Sequence, residues 1–252
     1  MEIRVNKRLT RGLQFQSSFT WAKIIDETQG QGSSDGGFGD TSQQSDPTHR
    51  EVDRGLATFD SDLNWKFNAI YRLPEFPFSS GVVAKVLNGW WMSGILSVQG
   101  GVPFTPALTV NRSRSGVNAG ASGIDRPDLV VGRNNDNIIL GGPERYYDPG
   151  AFTIPAAGFL GTAGRNILRG PGEATLDFSL GKDTALGFLG ESGRLEFRAE
   201  FFNLLNRVNF SQPDRIVFAA RANVEAPLAT AGRINSTVGT SRQVQLALKI
   251  LF

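Results

Sequence analysis

The chain has 252 residues, no cysteine, one histidine (His49) and a formal charge of +2 from 26 basic and 24 acidic residues. Without cysteine there is no disulfide framework and no thiolate metal site, and a single histidine argues against a multi-histidine metal centre. The basic residues are scattered and form no cluster interleaved with aromatics, so a nucleic-acid surface has no support. No run of about 18 apolar residues exists, so no transmembrane helix is expected. Barrel strands alternate apolar and polar residues, and a mean hydropathy of −0.19 is compatible with them. The 30 glycines and 18 phenylalanines point to an all-β protein with glycine-rich turns.

Seven segments alternate with a period of two, the pattern of a strand with unlike faces. Ile3, Val5 and Leu9 alternate with Glu2, Arg4, Asn6 and Arg8, and a tight turn at Thr10-Arg11-Gly12 follows. Leu13, Phe15, Phe19, Trp21 and Ile25 form the apolar set of a second strand. Leu63, Trp65, Phe67, Ala69, Tyr71 and Leu73 form that of a third, which Pro74 and Pro77 end. The fourth runs from Trp90 through Met92, Gly94, Leu96 and Val98, and the fifth carries Ala174, Leu176, Phe178 and Leu180. Leu195, Phe197, Ala199 and Phe201 alternate with Arg194, Glu196, Arg198 and Glu200 in the sixth. Val244, Leu246, Leu248, Ile250 and Phe252 alternate with Gln243, Gln245 and Lys249 in the seventh.

The connections alternate strictly between short and long. Short links fall near residues 10–12, 74–88 and 183–193, and long, structureless ones separate the other strands. Short turns on one rim and long loops on the other are the pattern of a transmembrane barrel. The fold class expected is therefore an antiparallel meander of about seven strands, a partial transmembrane β-barrel with long extracellular loops and short periplasmic turns. Tyr71, Trp90 and Phe252 should then lie near the periplasmic rim and Trp21 near the outer one, as aromatic girdles do.

Motif searches yield no catalytic site, and no enzyme activity and no cofactor are expected. Gly32-Ser33-Ser34-Asp35-Gly36 fits a nucleophile-elbow pattern but lacks the strand before and the helix after. Asp35, Asp40 and Asp46 lack calcium-loop spacing. Glu196 and Glu200 flank Arg198, which keeps both ionised, so a lumen charge ladder is expected rather than a glycosidase pair. Arg126, Asp128, Arg165 and Arg169 are the loop candidates for facing the lumen or an anionic ligand, and Asn203 and Asn206 are assigned to a strand end.

Several stretches resemble the C-terminal barrel of TonB-dependent receptors of the Oar-like branch, which carries a carboxypeptidase-regulatory-like domain. They include Lys7-Arg8-Leu9, Phe19-Thr20-Trp21-Ala22-Lys23, Asn88-Gly89-Trp90-Trp91-Met92-Ser93-Gly94 and Gly101-Val102-Pro103-Phe104-Thr105. Further along stand Tyr147-Asp148-Pro149-Gly150-Ala151-Phe152, Gly164-Arg165-Asn166-Ile167-Leu168-Arg169-Gly170-Pro171-Gly172, and the run from Arg198 to Phe210 with its Phe201-Phe202-Asn203-Leu204-Leu205-Asn206 core. The resemblance implies a barrel of about 22 strands with a plugged lumen, a TonB-driven transport or receptor role, and a terminal aromatic, Phe252, read by the outer-membrane assembly machinery. It also implies that residues 1–252 are the C-terminal segment of a longer receptor whose plug and signal peptide lie elsewhere. Outer-membrane lipid, the rest of the barrel, the plug and the TonB complex are the partners it implies. The alternatives are a soluble β-sandwich carbohydrate-binding module, which would gather Phe15, Trp65, Phe178 and Phe197 into one closed core, and a secreted β-rich hydrolase with a cleft of convergent acids.

Overall fold

A computed structural model describes residues 1–27, 45–46, 48–77, 81–115, 125–190 and 193–252. Seven strands form one antiparallel sheet whose spatial order follows the chain. They are β1 (Glu2–Thr10), β2 (Leu13–Trp21), β3 (Leu63–Arg72), β4 (Trp90–Gln99), β5 (Glu173–Ala185), β6 (Arg194–Phe202) and β7 (Gln243–Leu251). Each is 9 to 13 residues long, and about 9–11 residues suffice for a tilted strand to cross a bilayer. Among the described residues the sheet is open: β1 pairs only with β2, and β7 only with β6.

Register explains the alternation. Phe19 lies opposite Trp65, Trp65 opposite Val98, and Val98 opposite Ala174. One row further along, Phe67, Leu96 and Leu176 face one another. Phe178 meets Phe201, which meets Val244. Directly paired residues share a face, so one face collects the apolar set of every strand. Among the residues in register it carries no acidic side chain, and Lys7 and Lys182 are its charged ones. The other face collects Gln16, Asn68, Ser93, Ser179, Glu200 and Gln245 in the same way.

Nothing described covers the apolar face. Ile3, Val5, Leu246, Leu248 and Ile250 are half or more open to the surroundings or close to it, and Ala199 is the single buried hydrophobic residue in the seven strands. Phe15, Trp65, Phe178 and Phe197 lie spread across this one layer and converge on no closed core. The sandwich alternative needs two packed sheets about 10 Å apart, and the second is absent among the described residues.

The polar face is organised by charge. Arg198 pairs with Glu196 and, at 3.6 Å, with Glu200, as the expected charge ladder requires. Its guanidinium also lies 5.7 Å from the Trp91 ring. That indole packs against Gly181, where a β-carbon would come within 2.1 Å of the ring. The ring covers backbone that the glycine leaves bare.

Three details differ from the sequence expectation. The second strand ends at Trp21, because Ile25–Asp26 turns away to pair with Gly55–Leu56. The fifth strand is longer at both ends than its apolar alternation, since Gly181, Lys182 and Asp183 still pair with β6. The link after β3 holds a short helix, α1 (Gly81–Leu87).

A charge in the middle of the apolar face separates the readings of this sheet. Leu96→Arg should cost about 2–4 kcal/mol if the face meets hydrocarbon, whereas Ser93→Arg on the opposite face should be tolerated. Urea-unfolding midpoints of the membrane-inserted protein check both. Equal effects of the two substitutions would mean that the faces do not see different solvents.

Candidate functional site

All three long connections leave the same end of the sheet: L1 (residues 22–62), L2 (100–172) and L3 (203–242). The expectation of structureless loops is corrected here. The buried hydrophobic residues lie, Ala199 apart, within these connections. Phe104, Leu108, Tyr147, Phe152 and Leu168 from L2 pack with Val217, Phe218 and Ala220 from L3. Tyr147 sits at the centre, with ring centroids 5.9 Å from Phe104 and 6.2 Å from Phe152, the latter edge-on. Two-residue ladders stitch the loops, Ala107–Leu108 with Ile216–Phe218 and Pro103–Phe104 with Leu168–Arg169. The result is a packed cap on one rim of the sheet.

The Tyr147-Asp148-Pro149-Gly150-Ala151-Phe152 run shows why this sequence folds locally. Asp148 caps a short 3-10 turn by accepting from the Gly150 amide at 3.1 Å, and Pro149 supplies the fixed φ that the first helical position needs. Arg145 reaches the same carboxylate at 2.7 Å. The turn points Tyr147 inwards, where its hydroxyl donates to the Asp214 carbonyl of L3 at 2.9 Å.

The arginines singled out in the sequence lie inside this cap. Arg126 pairs with Asp53 at 3.0 Å, with both side chains buried. Arg165 pairs with Asp26 at 2.5 Å and also donates to the Asp53 carbonyl. Arg169 pairs with Asp60 at 2.6 Å and donates to the Gly101 carbonyl at 2.7 Å. Each arginine belongs to L2 and each aspartate to L1, so the three pairs clamp one loop to the other. Asp128 does something else: it accepts from the Thr162 amide at 3.0 Å within L2. The three arginines are thus engaged with L1, and Asp128 is held within L2. Sequence reading picked out the arginines but not their aspartates, whose only signal is acidity in the loop that faces them.

Other residues of the cap act through backbone. Asn166, almost fully buried, donates to the Leu56 carbonyl at 2.7 Å and exchanges hydrogen bonds with the Thr105 hydroxyl. Arg112 ties L2 to L3 through the Ala220 carbonyl and the Asn223 amide oxygen. Gly101 passes so close to Gly170 that a β-carbon would meet the Gly170 oxygen at 1.8 Å. Where β6 ends, Asn203 and Asn206 both adopt left-handed φ. Asn203 donates to the Arg207 and Thr240 carbonyls, and Asn206 accepts from the Arg242 amide, which matches their assignment to a strand end. Asp35, Asp40 and the Gly32–Gly36 motif lie outside the described residues. Asp46 is held down to about 2 by hydrogen bonds from the Thr48 hydroxyl and amide, then by His49.

A single-layer antiparallel sheet, apolar and uncovered on one face, polar on the other, with its long connections at one end, defines a membrane-spanning β-sheet of the barrel type. Comparison with protein families agrees: residues 1–245 match the outer membrane beta barrel domain, and the chain belongs to that family. Its location is the outer membrane. No curated protein and no solved structure matches the chain.

Two outcomes follow for the cap. Asp53→Ala removes the buried ion pair with Arg126 and should loosen the L1–L2 contact by about 3–5 kcal/mol. Limited trypsinolysis of the folded, membrane-inserted protein should then cut L1 and L2 faster, and Asp53→Leu combined with Arg126→Met should restore much of the resistance. The second outcome concerns pH. Burial, and then the Asp214 carboxylate, push the Tyr147 phenol well above the ordinary value of 10.0. A raised folded pKa means that Tyr147 contributes its full stabilisation below pH 10 and loses it as the pH rises towards the folded value. Tyr147→Phe should cost about 1 kcal/mol at neutral pH, and its stability should fall less steeply than that of the parent protein in alkaline unfolding series.

Proposed function

We propose that this chain supplies barrel wall and extracellular loops to a TonB-dependent outer-membrane receptor of the Oar-like branch, acting on a ligand still to be identified. The observation that carries this reading is the cap. On a single rim, Arg–Asp pairs brace L1 to L2 and one hydrophobic core joins L2 to L3. A cap built this firmly suits a receptor that presents a fixed surface to the medium. The resemblance at Asn88-Gly89-Trp90-Trp91 and at the Arg198–Phe210 run supports the branch.

The open sheet supports partnership within a larger wall. Unpaired backbone at the β1 and β7 edges is costly in hydrocarbon, so both edges need further strands. The polar face, with its Glu196-Arg198-Glu200 ladder, then lines a lumen and faces a plug. On this reading the long-loop rim is extracellular, the short-turn rim is periplasmic, Phe252 is presented to the assembly machinery, and the protein carries out no catalysis of its own.

The cysteine-free sequence makes the topology directly measurable. Single cysteines at Val131 and Val224, both strongly exposed on the cap, should react with a membrane-impermeant maleimide on intact cells. A cysteine at Phe188, in the turn between β5 and β6 and also strongly exposed, should react only after the outer membrane is opened. The reverse pattern would invert the orientation. Photo-crosslinking in cells should join the native protein to TonB; a barrel with the expected topology that never crosslinks would remove the TonB assignment and leave the barrel.

A further inference from the structure

The short link between β3 and β4 does more than turn the chain. Helix α1 carries Val82, Val83, Val86 and Leu87, and all four are exposed, Val82 to 77%. Val83, Val86 and Leu87 fall at i, i+3 and i+4 and so share one helix face. A surface helix in water would place polar residues there.

Two side chains fix the end of this helix to the apolar face of the sheet. The Trp90 indole N–H donates to the Val86 carbonyl at 2.9 Å. Lys182, directly opposite Trp90 in the register, lies 5.0 Å from the indole ring and donates to the Asn88 carbonyl at 2.5 Å. Both belong to the apolar face. The charges on that face are placed unevenly as well: Lys7 and Lys182 both sit near the short-turn end, Lys7 opposite Phe15 and Lys182 opposite Trp90. Lys85 lies exposed on the helix itself. Exposed valines continuous with a lipid-facing sheet, a tryptophan at the boundary and lysines reaching outwards are the chemistry of a membrane interface.

We propose that α1 is an interfacial foot. It lies in the headgroup region of the leaflet at the short-turn rim, with its valine face on the acyl chains and with Lys7, Lys85 and Lys182 around phospholipid phosphates. The choice of phospholipid over any other lipid rests on the orientation proposed above, in which this rim is periplasmic. The occupant is lipid rather than protein because the helix, with its exposed valines, is tied through Trp90 to the membrane-facing side of the sheet, and the cations Lys7 and Lys182 are the charges placed on that side.

The test uses the native outer-membrane protein, purified with the strands that complete its barrel and reconstituted in phosphatidylcholine vesicles. An environment-sensitive fluorophore is placed on a single cysteine at Val83, at Leu246 on the lipid-facing side of β7, or at Val131 on the cap. Vesicles whose acyl chains carry bromine near the glycerol end should quench the label at 83 within about twofold of the label at 246. Iodide in the buffer should quench the label at 131 and spare both others. Iodide quenching at 83 as strong as at 131 would overturn the foot. Protection at 83 from both quenchers would also overturn it, since protein would then cover the helix. In either case a lipid-quenched label at 246 would leave the barrel reading standing, whereas a label at 246 that lipid cannot quench would overturn both.

Discussion

A backbone amide inside hydrocarbon has no water to bond, and every other feature of this molecule answers to that fact. Helices satisfy the demand within themselves; strands satisfy it only sideways. The chain therefore lays seven strands edge to edge, each bonded to its neighbours in sequence. Once the strands lie flat between lipid and lumen, their side chains must alternate between two solvents. The register makes the alternation agree across the sheet, so that Phe19, Trp65, Val98 and Ala174 form a single apolar row.

The inversion of the usual soluble arrangement follows. In a soluble protein the sheet supplies the core and the loops float. Here the sheet hands its apolar side chains to the membrane, and the packed core has moved into the connections. Tyr147, Phe104 and Val217 are buried in segments that have almost no regular secondary structure. Those segments must hold shape against water with only two-residue ladders of their own, and buried ion pairs, asparagine-to-backbone bonds and close glycine contacts complete that work. Gly55, under the Arg165 carbonyl, is small because L1 meets L2 there, and Gly101, under that of Gly170, because the two ends of L2 meet there.

What could be read from the sequence divides along the same line. The strands were legible because a two-sided environment imprints a period of two on every one of them, and the short and long links announced which rim was which. Asn203 and Asn206 were legible as a strand end because asparagine tolerates left-handed backbone. The cap was not legible. Its core has no period, and its ion pairs join residues far apart, Arg165 with Asp26 and Arg169 with Asp60. Arginines among glycines suggest a ligand site as readily as a brace. Helix α1 escaped for a simpler reason: seven residues are too few to establish a helical period beside two prolines and a strand.

The long reach of these clamps also imposes an order of assembly. Arg165 and Asp26 stand 139 positions apart, and Arg169 and Asp60 stand 109 apart. Contacts of such separation form late, after the chain between them has been drawn together. The strands must align before L1 and L2 can meet, and on the orientation proposed above the loops must also cross the membrane before the strands finish aligning. On that orientation the cap travels as unpaired chain, with its aspartates and arginines still hydrated, and condenses on the far side. Its tertiary structure is in that sense a record that insertion has finished.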